Sequence, residues 1–309
     1  MKPQKTKTTR RSFSKFIRHP ESYPLQLQRR DLEILALVYD YRFMASDQVT
    51  RIIAGSERKI LARLQKLFHH GYLERLCDRR IRTRAGSDKM VYTITQKAAE
   101  FLIAEMGLPI TKLNWTSKNR TVTERHIKHT LMIGKFRTAL TLAVGDQERV
   151  GLAFWRESRG IGQNIDPELS DKVTVGVGDR GKEQARIIPD AFLAVETAKS
   201  KHFLYLEADR STMTNERFLK KLKAYWIWWK QGGSRKKHGV DHFRVLTVTR
   251  SYERRDNLKR IALEASPGTG GSGMFWFACE KDYEVSAPES ILRDIWVTAK
   301  SKERHSLLE

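Results

Sequence analysis

Two apolar runs that bring acids to one place constrain this chain more than any other feature. Residues 186–195, which contain Ile187-Ile188-Pro189-Asp190, read as one strand, and Phe203-Leu204-Tyr205-Leu206-Glu207-Ala208-Asp209 reads as the next. Strand side chains alternate between faces, so on the first strand Asp190 shares a face with Ile188 and Phe192, on the second Glu207 and Asp209 share a face, and the three carboxylates can converge. A helix over about 212–230 follows, with Phe218, Leu219, Leu222, Trp226 and Trp229 as its buried stripe. At ~100° per residue Lys220 points to solvent, while Lys221 and Lys223 flank the stripe and can reach back to the strands. Carboxylates gathered at one strand edge suit Mg²⁺ or Mn²⁺, which accept oxygen ligands and keep positions open for water and phosphate. Asp190, Glu207 and Asp209 are therefore the candidate metal ligands and catalytic acids, with Lys221 as electrostatic stabiliser. An ion-pair network with Arg186, Arg210 or the helix lysines is the alternative role for the same acids.

The flanking segments are expected to complete an α/β layer. Thr123–Val144 reads as a helix with His126, His129, Ile133, Phe136 and Leu140 along one side. Without an HExxH pattern or a third nearby ligand, the two histidines are expected to pack or hydrogen-bond. A strand at Leu152–Arg156 precedes a loop carrying Gly160, Gly162, Gly176, Gly178 and Gly181, whose spacing is not that of a phosphate-binding fingerprint. After the lysine helix come an exposed basic loop over Gly232–Gly239 and a strand over Phe243–Thr249. A charged helix follows over Arg255–Leu263, then a loop over Pro267–Gly273, a strand over Met274–Ala278 and a closing helix over Ile291–Thr298. The tryptophans look like a base-stacking cluster, but their spacing is that of core packing.

Charge narrows the partner. The chain has 309 residues, a formal net charge of +22 and a pI of about 10.1, which points to a polyanion and first to nucleic acid. No apolar run approaches the ~20 residues of a spanning helix, and no segment pairs a basic face with an aromatic one, so no membrane partner is expected. Cys77 and Cys279 are the only cysteines, too few for a disulfide framework or a thiolate zinc site, which fits a reducing cytoplasm. Residues 1–24 are expected to form a flexible basic arm rather than a secretory signal, because no acid precedes Glu21 and no apolar core follows.

The N-terminal third has a different rhythm. Leu32, Leu35, Ala36 and Tyr39 mark a first helix from Arg29, Ser46-Asp47-Gln48 caps a second, and Ala54-Gly55-Ser56 makes the turn into a third. On the third, Ile60, Leu61, Leu64, Leu67 and Phe68 form the packed side, and Lys59, Arg63, Lys66 and His70 the basic one. Gly71 ends it. Strands at Tyr72–Leu76 and Met90–Ile94 then flank a loop bearing Arg79, Arg80, Arg82, Arg84 and Lys89, and a helix over Thr95–Met106 closes the domain. Helix, turn, helix and basic hairpin resemble a winged helix-turn-helix, in which the third helix enters the major groove and the hairpin grips the backbone. Lys59 and Arg63 are the candidates for base edges, and the hairpin arginines for phosphates.

Taken together, the winged helix, the Pro189-Asp190 strand, the run Glu207-Ala208-Asp209-Arg210-Ser211-Thr212 and the Lys221-to-Tyr225 helix resemble the replication-relaxation family over roughly residues 25–250. The resemblance implies an α+β chain: an N-terminal winged helix-turn-helix followed by a PD-(D/E)XK restriction-endonuclease-like α/β domain. It also implies an association with plasmids and other mobile elements, a likeness to plasmid-mobilisation relaxases, and binding of double-stranded DNA. In the general nuclease pattern an acidic pair holds the metal and a lysine two residues after the glutamate stabilises the phosphate. Asp190 and Glu207 match, but Asp209 stands where that lysine belongs, leaving the role to Lys221 or Lys223. A metal-dependent nickase or relaxase and a transcriptional repressor are the other functions this pattern allows. Tyr225 or Tyr205 as a relaxase nucleophile has no supporting motif. The expected organisation is an arm over 1–24, the winged helix over 25–106, a linker over 107–120, the nuclease-like domain over 121–300 and a tail over 301–309, assembled as a homodimer on a symmetric site.

Overall fold

A computed structural model of the chain describes residues 15–76, 89–108, 115, 119, 121–158, 165–176, 181–266, 271–301 and 303–309. The chain is α+β and forms two compact units, Met1–Glu124 and Arg125–Glu309. Among the described residues no helix is long and apolar enough to cross a membrane.

In the first unit α1 (Arg29–Tyr41), β1 (Met44–Ala45), α2 (Ser46–Ile52), α3 (Glu57–His69), β2 (Leu73–Arg75), β3 (Val91–Ile94) and α4 (Gln96–Met106) follow in order. β3 lies between β1 and β2, antiparallel to both, with Met44 opposite Tyr92 and Leu73 opposite Ile94. Local chemistry sets the helix starts: the Asp31 carboxylate accepts the Gln28 N–H at 2.8 Å, and Thr95 Oγ1 accepts that of Ala98 at 3.3 Å. Ile34, Leu35, Val38, Ile60, Leu64, Leu67, Leu73 and Ile94 are enclosed completely, each contributing ~1.5–3 kcal/mol of apolar burial.

The inward stripe of α1 is not the expected one. Ile34, Leu35, Val38 and Tyr41 face the core, while Leu32, Ala36 and Tyr39 are only half-buried. Asp31 is on the inward side as well, fully buried against Arg63. Leu61, expected inside, is 39% exposed. The last residues of the expected basic arm are held down: Arg18 donates to the carbonyls of Phe68 at 3.0 Å and Leu73 at 3.2 Å, His69 Nδ1 accepts the His19 N–H at 2.9 Å, and Tyr23 stacks on His69 at 4.1 Å. The first 14 residues lie outside those described.

The second unit contains α5 (Glu124–Gly145), β4 (Val150–Glu157), β5 (Asp171–Gly176), β6 (Lys182–Ile187), β7 (Ala191–Thr197), β8 (Lys201–Asp209), α6 (Asn215–Lys230), α7 (Gly233–His238), β9 (Arg244–Thr249), α8 (Tyr252–Ala262), β10 (Phe275–Cys279), β11 (Trp296–Thr298) and β12 (Arg304–His305). Seven strands form a mixed sheet in the order β12-β11-β10-β9-β8-β7-β4, with β8, β9 and β10 parallel and the other pairs antiparallel. Alternation along β8 fills two cores. Leu204, Leu206 and Ala208 join Phe136 and Leu140 of α5 on one face; Tyr205 joins Phe218, Leu222 and Tyr225 of α6 on the other.

Four expected elements differ, the first being the basic loop over Gly232–Gly239, which is the short helix α7 with Ser234 buried. The strand over 186–195 is two strands: β6 ends at Ile187 and pairs with β5, whereas β7 starts at Ala191 and joins the large sheet. Pro189 lies in the break, since it has no N–H for a ladder. The glycine-bearing loop contains that β5–β6 hairpin, which packs on α6. The closing helix is instead a 3-10 turn over Pro288–Leu292 followed by β11, because Trp296 and Val297 pair with β10 and β12. Gly160, Gly162 and Gly178 lie outside the described residues.

Candidate functional site

Asp190 stands where the chain steps from the hairpin to the large sheet. Its N–H donates to the Leu206 carbonyl at 2.8 Å, and its Oδ2 accepts the Ala208 N–H at 2.8 Å, so backbone bonds on both sides of Glu207 fix it to β8. His129 arrives from α5, with Nε2 3.0 Å from Asp190 Oδ1. Glu207 turns to α6, where Lys221 Nζ contacts its Oε2 and the Tyr225 hydroxyl donates to its Oε1 at 2.7 Å. Among the described residues the lysine bonded to Glu207 is Lys221 and not Lys223. Lys220, expected in solvent, pairs with Glu183 of β6.

Burial and charge set the protonation of this cluster. Burial opposes a charged His129, but the Asp190 carboxylate and its hydrogen bond outweigh burial and raise the imidazole pKa. Burial likewise pushes Asp190 up, and His129, Lys221 and the Ala208 N–H pull it below the usual carboxylate range. Glu207 goes the other way: burial, helped by the Asp190 charge, lifts it to about 7 against the pull of Lys221 and Tyr225. The pairing therefore favours the charged forms of His129 and Asp190, beside a Glu207 carboxyl whose midpoint lies at about 7. Perturbed groups of this kind concentrate at functional sites.

Asp209 is engaged elsewhere. Its Oδ2 receives Arg254 Nε at 2.6 Å, and its Oδ1 accepts the N–H of Ser211, whose φ of 61° makes the turn into α6. Arg254 also donates to Asn215 Oδ1 at 2.7 Å and the Met213 carbonyl at 2.8 Å, so the pair ties α6 to α8. Tyr225 and Tyr205 are both enclosed, and burial raises both phenol pKa values, which removes either as an accessible nucleophile. Among the described residues no group of three or more His, Cys, Asp or Glu is placed to hold a metal ion. Asp190 and Glu207 supply two carboxylates, and each oxygen keeps a second lone pair beside its present partner. That donor set fits Mg²⁺ or Mn²⁺, which bind through one or two carboxylates and take water and phosphate for the rest.

The basic residues of the first unit separate into two kinds. Arg63 donates to Asp31 Oδ1 from Nε at 2.8 Å and to the Gln26 carbonyl from its terminal nitrogen at 2.9 Å, with a further contact to Asp31 Oδ2. Its fork is used inside the unit and is not turned to a base edge. His70 contacts the Tyr23 carbonyl, and Lys89 contacts Asp47. Lys59 is exposed and Lys66 half-buried, while Arg58, which sequence reasoning passed over, is exposed beside Lys59 on the first turn of α3. Arg79, Arg80, Arg82 and Arg84 lie outside the described residues.

His129, Arg254 and the hydroxyl of Tyr225 were not assigned to these acids by sequence reasoning. Only His129 had a signal, as a histidine on an apolar helix face. No curated protein and no solved structure matches the chain. Residues 35–242, more than half of the chain, match the family model described as replication-relaxation, and this protein belongs to that family.

Proposed function

We propose that this chain is a double-stranded DNA-binding protein acting in the replication of a plasmid or another mobile element. In this reading the first unit is a winged helix that selects the site, and the second is a PD-(D/E)XK-like domain that supports binding or assembly. The observation that carries it is the division of α3: Ile60, Leu64 and Leu67 pack inward while Arg58, Lys59, Leu61 and Ala62 face out at its N-terminal half, just before the β2–β3 hairpin. A recognition helix presents that end to base edges in the major groove. The family membership and the charge of +22 support the same reading. Lys59 and Arg58 contact the DNA, Arg63 holds α3 in position through Asp31, and the hairpin arginines with Lys89 grip phosphates. Duplex binding titrated against salt tests it.

A second reading, metal-dependent nicking, is favoured by the meeting of His129, Asp190, Glu207 and Lys221 at one sheet edge. Asp190 and Glu207 would hold Mg²⁺ or Mn²⁺, which supplies Lewis-acid stabilisation of a phosphate. Lys221 would add positive charge beside that phosphate, and His129, hydrogen-bonded to Asp190, would hold a proton for the leaving oxygen. Supercoiled plasmid is nicked in this reading, and Asp190→Ala or Glu207→Ala abolishes nicking while duplex binding persists. Plasmid left intact by wild type with either metal rejects it.

A further inference from the structure

The second unit has a cavity at the other end of its sheet. Lys201 opens β8, and the six residues from there to Glu207 span roughly 20 Å. Around this end lie Lys201, Phe203, Trp226, Trp229, His242 and Arg244, lining an open cavity of about 350 Å³ with no carboxylate side chain among its lining residues. That size is within the range of small-ligand sites.

Core packing accounts for the whole of one tryptophan of α6 and for only part of the other two. Trp228 is 3% exposed and belongs to the core, but Trp226 and Trp229 are only partly buried and line the cavity. Their rings lie 5.1 Å apart, tilted by 36°, so they form two walls rather than a stack on each other. Trp229 Nε1 donates to the Asp241 carbonyl at 2.9 Å. With its one polar atom satisfied, that indole has its π face left to offer.

The charges around these walls are positive. Lys230 Nζ lies 5.1 Å from the Trp226 ring centre, and the Arg244 guanidinium is anchored to the Leu307 carbonyl at 2.9 Å while lying over Trp276. Arg244 also contacts Glu309, and Lys201 faces Glu196 3.7 Å away in a solvent-exposed pair that costs little to break, so Lys201 is the cation most readily released to a ligand. Aromatic faces bordered by cations are the combination that holds an unpaired base with its phosphate, stacking being indifferent to base identity. We propose that this cavity binds an unpaired nucleotide, its base against Trp226 and Trp229 and its phosphate toward Lys201 and His242. The site is separate from the duplex-reading surface proposed for the first unit.

The test is fluorescence anisotropy with a labelled oligothymidylate about ten nucleotides long and, in parallel, a blunt hairpin duplex, using the full chain and its Trp226→Leu and Lys201→Glu variants. Both variants are expected to bind the oligothymidylate about tenfold more weakly than wild type and the duplex as wild type does. Thymidine monophosphate that competes at its own binding concentration identifies the free nucleotide as ligand; competition by the oligonucleotide alone identifies a base within a strand. The proposal is overturned if Lys201→Glu, an exposed position, binds the oligothymidylate like wild type, or if both variants lose the two DNAs in parallel. Loss of duplex binding by wild type would reject the winged-helix reading without touching this one.

Discussion

Lys221 reaches Glu207 from α6, fourteen residues along the chain, and supplies the cation that the acid lacks on its own strand. The strand position that a lysine would occupy holds Asp209, which takes Arg254 instead. One acid thus draws its partner from α6 and the other from α8, and the two helices are bound to the same strand by opposite charge. Burial lifts the Glu207 carboxyl to about 7, and Lys221 holds it from rising further.

Replacing Lys221 by Met removes the largest opposing influence on that carboxyl, so the Glu207 midpoint is expected to rise above its wild-type value of about 7. Lys223→Met is expected to leave it in place. Carboxyl-detected NMR titration reads both, and equal midpoints in wild type and Lys221→Met would contradict the pairing.

Stability should fall as pH rises from about 4.5 through about 7. Glu207 has a folded pKa above its ordinary 4.5, so its contribution is complete below that value and is lost as pH rises through about 7. His129 is also raised above its ordinary 6.5 and loses its contribution in the same direction. Asp190 is lowered, so its contribution is present above 3.8 and disappears only in acid. Glu207→Gln is expected to flatten the decline, with a Tm a few degrees above wild type at pH 8 and close to it at pH 5. Parallel Tm curves for the two proteins would show that Glu207 does not titrate in this window.

Arg63 and Asp31 are a structural pair in the first unit, with side chains 12% and 0% exposed. Arg63→Ala leaves a buried carboxylate unpaired and is expected to cost about 3–5 kcal/mol, whereas Arg63→Met with Asp31→Leu recovers most of that loss. Denaturant unfolding distinguishes the two. A single variant as stable as wild type would mean that Arg63 is free to read DNA after all.

The sequence carried the order of strands and helices well, because period-two and period-3.6 patterns in β8, α3 and α5 arise from the chain itself. It carried the partners of the acids poorly. Asp190 was assigned a strand face by alternation, yet Pro189 breaks the strand and Asp190 is oriented by Leu206, Ala208 and His129, none of them its neighbours in sequence. Arg63 sits on the basic side of a helical wheel, but the wheel has no information about Asp31, 32 residues away. Trp226 and Trp229 share the spacing of core residues, and what separates them from Trp228 is the end of the sheet beneath them. Periodicity is local, whereas long-range pairing decides what each polar side chain does.

The most direct test of the account is a titration of duplex DNA at several salt concentrations with wild type and an Arg58→Ala/Lys59→Ala variant. Each lost phosphate contact lowers the slope of log affinity against log salt by ~0.9, so the variant should lose up to about two units of slope and at least about tenfold in affinity at low salt. Its unfolding midpoint should match wild type, because both side chains are exposed. Equal affinity and equal slope in the two proteins would contradict the assignment of α3 as the surface that meets DNA.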